Sequence, residues 1–238
     1  MRYLPLLLCT ALLLYHCSPK YYTPNTQNLP MLSKKHQANC TIVPLAGRIE
    51  AMGAYSPTDN IAALVNGGYY YENLNDTTNG GSGAFAEAGV GYYYKFAKYG
   101  LWDIYTLAGY GTIENHFPSS VDAHPGTTGK IRASVARGGI QSSVGFTSEY
   151  FDAVASVRIT TLQYANISGS FVFDSTNQVS YLTQNNSMFL AEPAITLRGG
   201  YAGIKAQLQL GRSYNLTFPE FRQDKSWFTF GIGYTFGL

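Results

Sequence analysis

The sequence predicts an all-β fold, namely an antiparallel transmembrane β-barrel of about ten strands, within a range of eight to twelve. Residues 228–236 alternate strictly, with aromatic and aliphatic side chains on one face and threonine or glycine on the other. Tyrosine (20), phenylalanine (13) and glycine (25) are abundant, and only 13% of the residues are charged, about half the proportion in soluble domains. Short and long connections alternate along the chain, as they do in outer-membrane barrels.

The N-terminal residues predict export. Arg2 precedes an apolar run from Tyr3 to Tyr15, which is shorter than the roughly 20 residues that a membrane-spanning helix needs. We therefore interpret residues 1–16 as a signal peptide. Cys17 then stands where a lipoprotein carries its acylated cysteine; an ordinary secretion signal, with Cys17 free to pair with Cys40, is the alternative. Residues 17–35 contain three prolines and predict a lipid-anchored periplasmic tether without structure of its own.

The barrel is predicted to occupy residues 36–238. Its connections are either tight turns, such as residues 56–59, or long polar loops, which we expect outside the cell. Both chain ends should then be periplasmic. No window keeps a 3.6-residue period, so helices should be nearly absent. The predicted strands are 36–44, 48–56, 60–73, 84–97, 101–114, 130–147, 151–167, 188–199, 202–214 and 226–236.

Two of these strands, 130–147 and 151–167, exceed the roughly 9–11 residues that cross a membrane. Their surplus should project beyond the outer surface. Ile131 and Ile140 share a face only if one residue bulges out between them. We expect this bulge at Gly138-Gly139, because glycine tolerates such a conformation.

The lumen should be filled by side chains. Ionisable residues alternate with apolar or small neighbours along several strands, which places them inside the barrel. An unpaired charge away from water costs several kcal/mol, so we expect an ion-pair network; a proton or ion path is the alternative. A barrel this narrow does not leave a wide channel. The predicted network comprises Glu50, Glu87, Arg132, Arg158, Glu192, Arg198 and Lys205.

The last strand should face lipid with its aromatic side and act as the closing signal for the barrel-insertion machinery. Outer-membrane lipids and that machinery are therefore the expected partners. The chain carries 16 basic and 14 acidic residues without a basic stripe, which excludes nucleic-acid binding on electrostatic grounds. The residues of the closing signal are Phe228, Phe230, Ile232, Tyr234 and Phe236.

Catalytic signals are sparse, and no cofactor is expected. His116, Asp122 and His124 share one long loop and are candidates for a surface hydrolase or a metal site; ordinary loop residues are the simpler interpretation. Two further triplets, Asp76-Thr77-Thr78 and Asp174-Ser175-Thr176, resemble the O-glycosylation sites of exported proteins of the Bacteroidota type. Thr77 and Ser175 are thus candidate glycosylation sites.

Seven short motifs are spread over most of the chain after the signal peptide. They are Cys17 with Tyr21–Asn28, Thr58–Ala62, Asn66–Gly68, Glu87–Tyr92, Glu114–Pro118, Thr196–Gly200 and Phe221–Asp224. Together they resemble a group of small outer-membrane β-barrel lipoproteins of Bacteroidota, whose activity is unassigned. The resemblance implies an outer-membrane location in a Gram-negative bacterium, a barrel and a lipid anchor, and it supplies no catalytic residues.

These observations favour a barrel lipoprotein without catalytic activity that serves as a structural or accessory subunit of an envelope complex. Two alternatives remain open. One is the surface hydrolase that uses His116, Asp122 and His124, and the other is a narrow transporter for a small or apolar molecule. Neither a substrate nor the identity of a partner protein follows from the sequence.

Overall fold

The chain forms a closed antiparallel β-barrel of ten strands, which confirms the predicted fold class and strand number. The computed structural model describes residues 18–72, 79–117 and 125–237. The barrel strands are β1 (Ala38–Leu45), β2 (Arg48–Tyr55), β3 (Ile61–Glu72), β4 (Gly80–Lys95), β5 (Gly100–Phe117), β6 (Gly129–Thr147), β7 (Phe151–Gly169), β10 (Ser187–Tyr201), β11 (Ile204–Arg212) and β13 (Ser226–Phe236). The connections hold β8 (Val172–Phe173), β9 (Thr176–Asn177), β12 (Tyr214–Asn215) and the helix α1 (Gln178–Gln184).

Strand pairing closes the sheet into a cylinder, because each of the ten barrel strands has a hydrogen-bonded neighbour on both sides. β1 pairs with β2 on one side and with β13 on the other, where Ala38 lies opposite Phe236. β13 in turn pairs with β11 over nine residue pairs, from Ile204–Tyr234 to Arg212–Ser226. We call the end with the turns at 56–60, 96–99, 148–150 and 202–203 the short-turn end, and the opposite end the long-loop end.

The outer surface carries an apolar band next to the short-turn end. Along β7 the outward positions read Phe151, Ala153, Ala155, Val157 and Ile159. The next outward positions are Thr161 and Gln163. The apolar stretch thus covers nine residues, which matches the roughly 9–11 that a tilted strand needs to cross a bilayer. The remainder of β5, β6 and β7 extends beyond the band toward the long loops. No helix of the described residues is long and apolar enough to cross a membrane.

The expected bulge at Gly138-Gly139 is wrong. Gly138 pairs with Thr161 and Gly139 with Thr160 in unbroken register, and the register shifts between Arg132 and Ser134 instead. Ile131 points inward, whereas Ile140 points outward into the apolar band. The two isoleucines need no common face, because the barrel interior is itself apolar at the long-loop end and the exterior is apolar only within the band.

An apolar cluster fills part of the barrel interior at the long-loop end. Phe117 and Phe171 stack there with ring centroids 5.1 Å apart, and α1 contributes the buried Leu182. Asn177 caps α1 by accepting a hydrogen bond from the Ser180 amide through its side chain. The loop between β7 and β10, which the sequence indicates only as irregular, is thus a folded lid of a hairpin and one helix.

Candidate functional site

The N-terminal segment of the described chain lies inside the barrel. The residues from Pro24 to Leu32 are all buried. At the long-loop end, the Tyr21 amide donates to the Arg222 carbonyl (2.8 Å) and Lys20 Nζ lies 2.5 Å from Asp224 Oδ1. At the short-turn end, the Lys34 carbonyl accepts from Ser56 Oγ (2.7 Å). We call residues 18–35 the lumen segment, because they cross the barrel from one end to the other.

The prediction of an unstructured periplasmic tether at residues 17–35 is therefore wrong for residues 18–35. The first and last described residues lie toward opposite ends of the barrel, since Ser18 lines a cavity at the long-loop end and Phe236 lies at the short-turn end. Two glycines on the inner wall pack tightly against neighbouring wall residues. A Cβ on Gly211 would lie 2.1 Å from the Trp227 ring, and one on Gly91 would lie 2.1 Å from the Ile104 carbonyl oxygen.

Wall side chains supply the hydrogen bonds that the extended lumen segment cannot make with itself. Buried backbone groups need such partners, since each unsatisfied group costs about 1–3 kcal/mol. Gln209 acts like a neighbouring strand, because its Oε1 accepts from the Gln27 amide (2.7 Å) and its Nε2 donates to the Gln27 carbonyl (3.1 Å). In the middle of the segment, further backbone contacts join Pro24 O to Arg48, Asn25 O to Arg158, the Thr26 amide to Glu50, and Asn28 O to Gln141.

Three buried ion pairs surround the middle of the lumen segment. Arg158 Nη2 lies 2.6 Å from Glu192 Oε2, and both side chains are almost completely buried. Arg137 Nη2 lies 2.7 Å from Glu87 Oε2, and Arg137 Nη1 also donates to Asn25 Oδ1 (2.7 Å). The third pair joins Arg48 to Glu50 at 3.4 Å. Each pair also contacts the lumen segment, so the charges fix this segment in place as well as neutralising each other.

Six of the seven residues of the predicted network point into the lumen. Glu50, Glu87, Arg158 and Glu192 belong to the three central pairs. Arg198 and Lys205 lie near the short-turn end, where Lys205 Nζ is 2.7 Å from Asp152 Oδ1 and Arg198 Nη1 is 4.0 Å from Asp152 Oδ2.

Arg132 is the exception, and its assignment to the lumen is wrong. Its side chain points outward and pairs with Glu114, which also lies 2.5 Å from Lys130 Nζ. The interior at this height is the apolar cluster that contains Ile131 and Ala133. The polar residues of the alternating pattern therefore face the outside here, where water replaces lipid.

Sequence reasoning missed three members of the site: Arg48, Arg137 and Asp152. For Arg48 and Asp152, a signal was present in the spacing. Arg48 lies two residues before Glu50, and Asp152 lies six before Arg158. An even separation along a strand places two residues on the same face, so Arg48 should share the face of Glu50, and Asp152 that of Arg158.

At the long-loop end, the lumen segment packs against aromatic side chains of the barrel and of α1. Tyr21 packs among Tyr181 and Phe221, its hydroxyl donates to Gln178 Oε1 (2.9 Å), and its carbonyl accepts from the Tyr164 hydroxyl (2.7 Å). Burial raises the pKa of the Tyr181 phenol. The neutral phenol oxygen accepts a hydrogen bond from the Arg222 amide (3.3 Å).

A cavity of about 810 Å³ opens beside this end of the lumen segment. Its walls combine the lumen segment, the turn between β1 and β2, the upper parts of β4 and β5, and residues 224–228. Arg48 lies over the Tyr70 ring (5.8 Å) and Arg137 over the Phe85 ring (5.5 Å). Four cations line the cavity. Lys20, Arg48 and Arg137 each have a carboxylate partner, and Lys225 is the fourth.

Of the remaining predicted site residues outside the closing strand, the structure describes only His116 and Ser175. His116 has an outward position on β5 opposite Lys130, and Asp122 and His124 lie outside the described residues, so the hydrolase hypothesis stays a prediction. Cys17 and Thr77 also lie outside them, while Ser175 is exposed in the β8–β9 turn. Within the described part of the chain, no group of three His, Cys, Asp or Glu side chains could hold a metal ion.

The five residues of the predicted closing signal all point outward into the apolar band. Ile232 lies between Ile42 and Ala206 on the neighbouring strands, and the rings of Tyr234 and Phe236 meet edge to face at 4.4 Å. The opposite face of β13 carries Thr229, Gly231 and Gly233 toward the lumen. Trp227, at the start of the strand, shares this inward face and is buried. The other members of the signal are Phe228 and Phe230.

Comparison with models of known families gives no match, and neither does comparison with curated proteins. Among solved structures, the chain is similar to LpxR from Salmonella typhimurium. The similarity covers 85% of this chain and 100% of that chain, at 9% identity and a TM-score of 0.35. The closed ten-strand sheet and its apolar outer band, rather than this likeness, mark the fold as an outer-membrane type of β-barrel. A likeness this distant identifies no substrate and no catalytic residue.

The prediction that the chain is not an enzyme is contradicted by this comparison, since LpxR is an outer-membrane enzyme. A barrel of this type is compatible with catalysis. The prediction was wrong because it treated the lack of a recognisable catalytic set in the sequence as evidence against any activity.

Proposed function

We propose that this protein is an outer-membrane barrel of a Gram-negative envelope that is sealed by its own lumen segment and binds a partner at its long-loop end. In this role it is an accessory subunit of an envelope complex. The observation that carries the proposal is the lumen segment, whose backbone is held by wall side chains along the barrel. A narrow transporter would have to expel this segment and leave its buried ion pairs without those contacts.

The proposal includes an orientation. Long loops of outer-membrane barrels lie outside and short turns lie in the periplasm. The short-turn end and Phe236 are then periplasmic, and Ser18 emerges at the outer surface. If Cys17 is acylated, as the resemblance to Bacteroidota lipoproteins implies, the acyl chains would enter the outer leaflet rather than the inner one.

Cysteine labelling in intact cells tests the orientation. In a Cys40→Ser background, Lys20→Cys should react with a membrane-impermeant maleimide, because Lys20 is exposed at the long-loop end. Lys98→Cys, exposed at the short-turn end, is the matched control and should react only after the outer membrane is permeabilised. The reverse pattern would contradict the proposed orientation.

Partner binding is tested by purification in mild detergent followed by mass spectrometry. Ser82→Trp places a large ring at the wall of the outer cavity and should remove a stoichiometric partner. Gln163→Trp changes an exposed residue on β7 away from the cavity and should retain it. If both variants keep the same partner, binding does not occur at this cavity.

A further inference from the structure

A second cavity, of about 390 Å³, lies inside the barrel at the short-turn end. Pro30, Met31 and Ser33 of the lumen segment form one wall, and residues of β7, β10 and β11 form the opposite one. The volume falls within the range of small-molecule sites. All residues that line it belong to the described chain, so its shape does not depend on the long loops.

Two buried side chains in this cavity have hydrogen-bond donors to spare. Arg198 donates from Nε to Gln207 Oε1 (2.8 Å), and its nearest carboxylate oxygen, on Asp152, is 4.0 Å from Nη1. Asp152 is bound more closely by Lys205, at 2.7 Å. Gln207 is 1% exposed, and its Nε2 makes no hydrogen bond among the described residues. A buried donor without a partner is costly, and here it faces a cavity together with a guanidinium.

The charges around the cavity favour an anion. Four cations line it, namely Lys95, Lys98, Arg198 and Lys205, against two carboxylates, Glu149 and Asp152. Arginine presents parallel N–H donors that match the spacing of oxygen atoms in phosphate and carboxylate groups. The unused donors of Arg198 and Gln207 lie on neighbouring strands at directly paired positions, Arg198 opposite Gln207.

We propose that the short-turn cavity binds a small free oxyanion of the phosphate class, with the Arg198 guanidinium and Gln207 Nε2 as donors and Lys205 as a nearby charge. Because the cavity is enclosed by the barrel wall, acyl chains attached to a lipid phosphate would have to pass between paired strands. A water-soluble anion that enters from the short-turn end meets no such obstacle. This site is separate from the outer cavity, so it does not depend on the proposed partner.

Titration calorimetry with inorganic phosphate, on the full-length protein in a neutral detergent, tests the proposal. The native protein should show saturable binding. Arg198→Gln should weaken it about tenfold or more, because a charge-assisted hydrogen bond is lost. Arg212→Gln is the matched control; it removes a cation that lies over the Tyr214 ring at the opposite end and should leave the affinity unchanged.

A second variant separates lost binding from misfolding. Gln207→Glu keeps an acceptor for Arg198 Nε, so the barrel should retain its heat-modifiable migration on gels, but it places a negative charge where the anion would bind. Phosphate binding should then disappear. The proposal is overturned if the native protein shows no saturable phosphate binding, or if Gln207→Glu binds as well as the native protein. Retention of phosphatidic acid in native mass spectrometry without binding of free phosphate would also refute it.

Discussion

The buried pair Arg158–Glu192 offers the strongest test of how the lumen is held together. Arg158→Ala leaves Glu192 without its cation in a site from which water is excluded. Breaking a buried pair from one side costs about 3–5 kcal/mol. Glu192 would keep hydrogen bonds from the Tyr22 hydroxyl (2.8 Å) and from Ser213 Oγ (3.0 Å), which favours the lower end. The Asn25 carbonyl would also lose a donor, so we expect a loss of about 3–4 kcal/mol.

A loss of this size lowers the folding equilibrium constant by a factor of about 100 to 1,000. Urea unfolding in detergent micelles measures it, with Trp102 and Trp227 in the barrel wall as fluorescent reporters. Arg132→Ala is the matched control, because the Arg132 side chain is 64% exposed and its pair with Glu114 should contribute no more than about 1 kcal/mol.

Two results would refute this reasoning. One is an unfolding free energy for Arg158→Ala that is no lower than that of Arg132→Ala, since burial would then not determine the strength of the pair. The other is the appearance of large single-channel steps in planar bilayers with Arg158→Ala. The lumen segment keeps its contacts with Glu50, Gln141 and Gln209 in that variant, so we expect the lumen to stay closed.

Three further predictions follow from the same structure. Deletion of residues 19–31 should open the lumen, so that planar-bilayer recordings show single-channel steps that the native protein lacks; closed recordings from a heat-modifiable, folded variant would contradict this. Ile232→Asp should reduce the folded fraction more than Phe236→Asp, because a charge on the lipid face costs about 2–4 kcal/mol at the bilayer midplane and less near the interface; equal band intensities of folded protein on unboiled gels would argue against the assigned depth. Cys17→Ser should change processing and acyl labelling but leave the barrel in the membrane, as intact-mass measurement and fractionation will show; an unmodified native N-terminus would remove the anchor.

The strands could be predicted because their signal is local. A period of two along the chain needs no knowledge of distant residues, and the predicted strand 226–236 coincides with β13 (Ser226–Phe236). The turn chemistry that separates the strands is equally local. Strand number, approximate bounds and the outward face of the closing strand therefore followed from the sequence alone.

The lumen segment could not be predicted in the same way. Its prolines, its amides and its lack of charge between Tyr21 and Ser33 are also typical of a linker. It becomes part of the fold only because Glu50, Gln141 and Gln209, from three distant strands, supply hydrogen bonds to its backbone. No short-range pattern contains these partners.

The sequence by itself thus determined that the chain alternates, how often it turns and which side chains share a face of each strand. Tertiary structure decided which face of a strand points inward at each position along the barrel axis. Arg132 points outward near the long-loop end, whereas Arg158 points into the lumen. An alternating strand separates polar from apolar residues, but the surroundings determine where each set lies. Within the bilayer the apolar set faces lipid, and above it the apolar set faces the interior, because water then surrounds the wall.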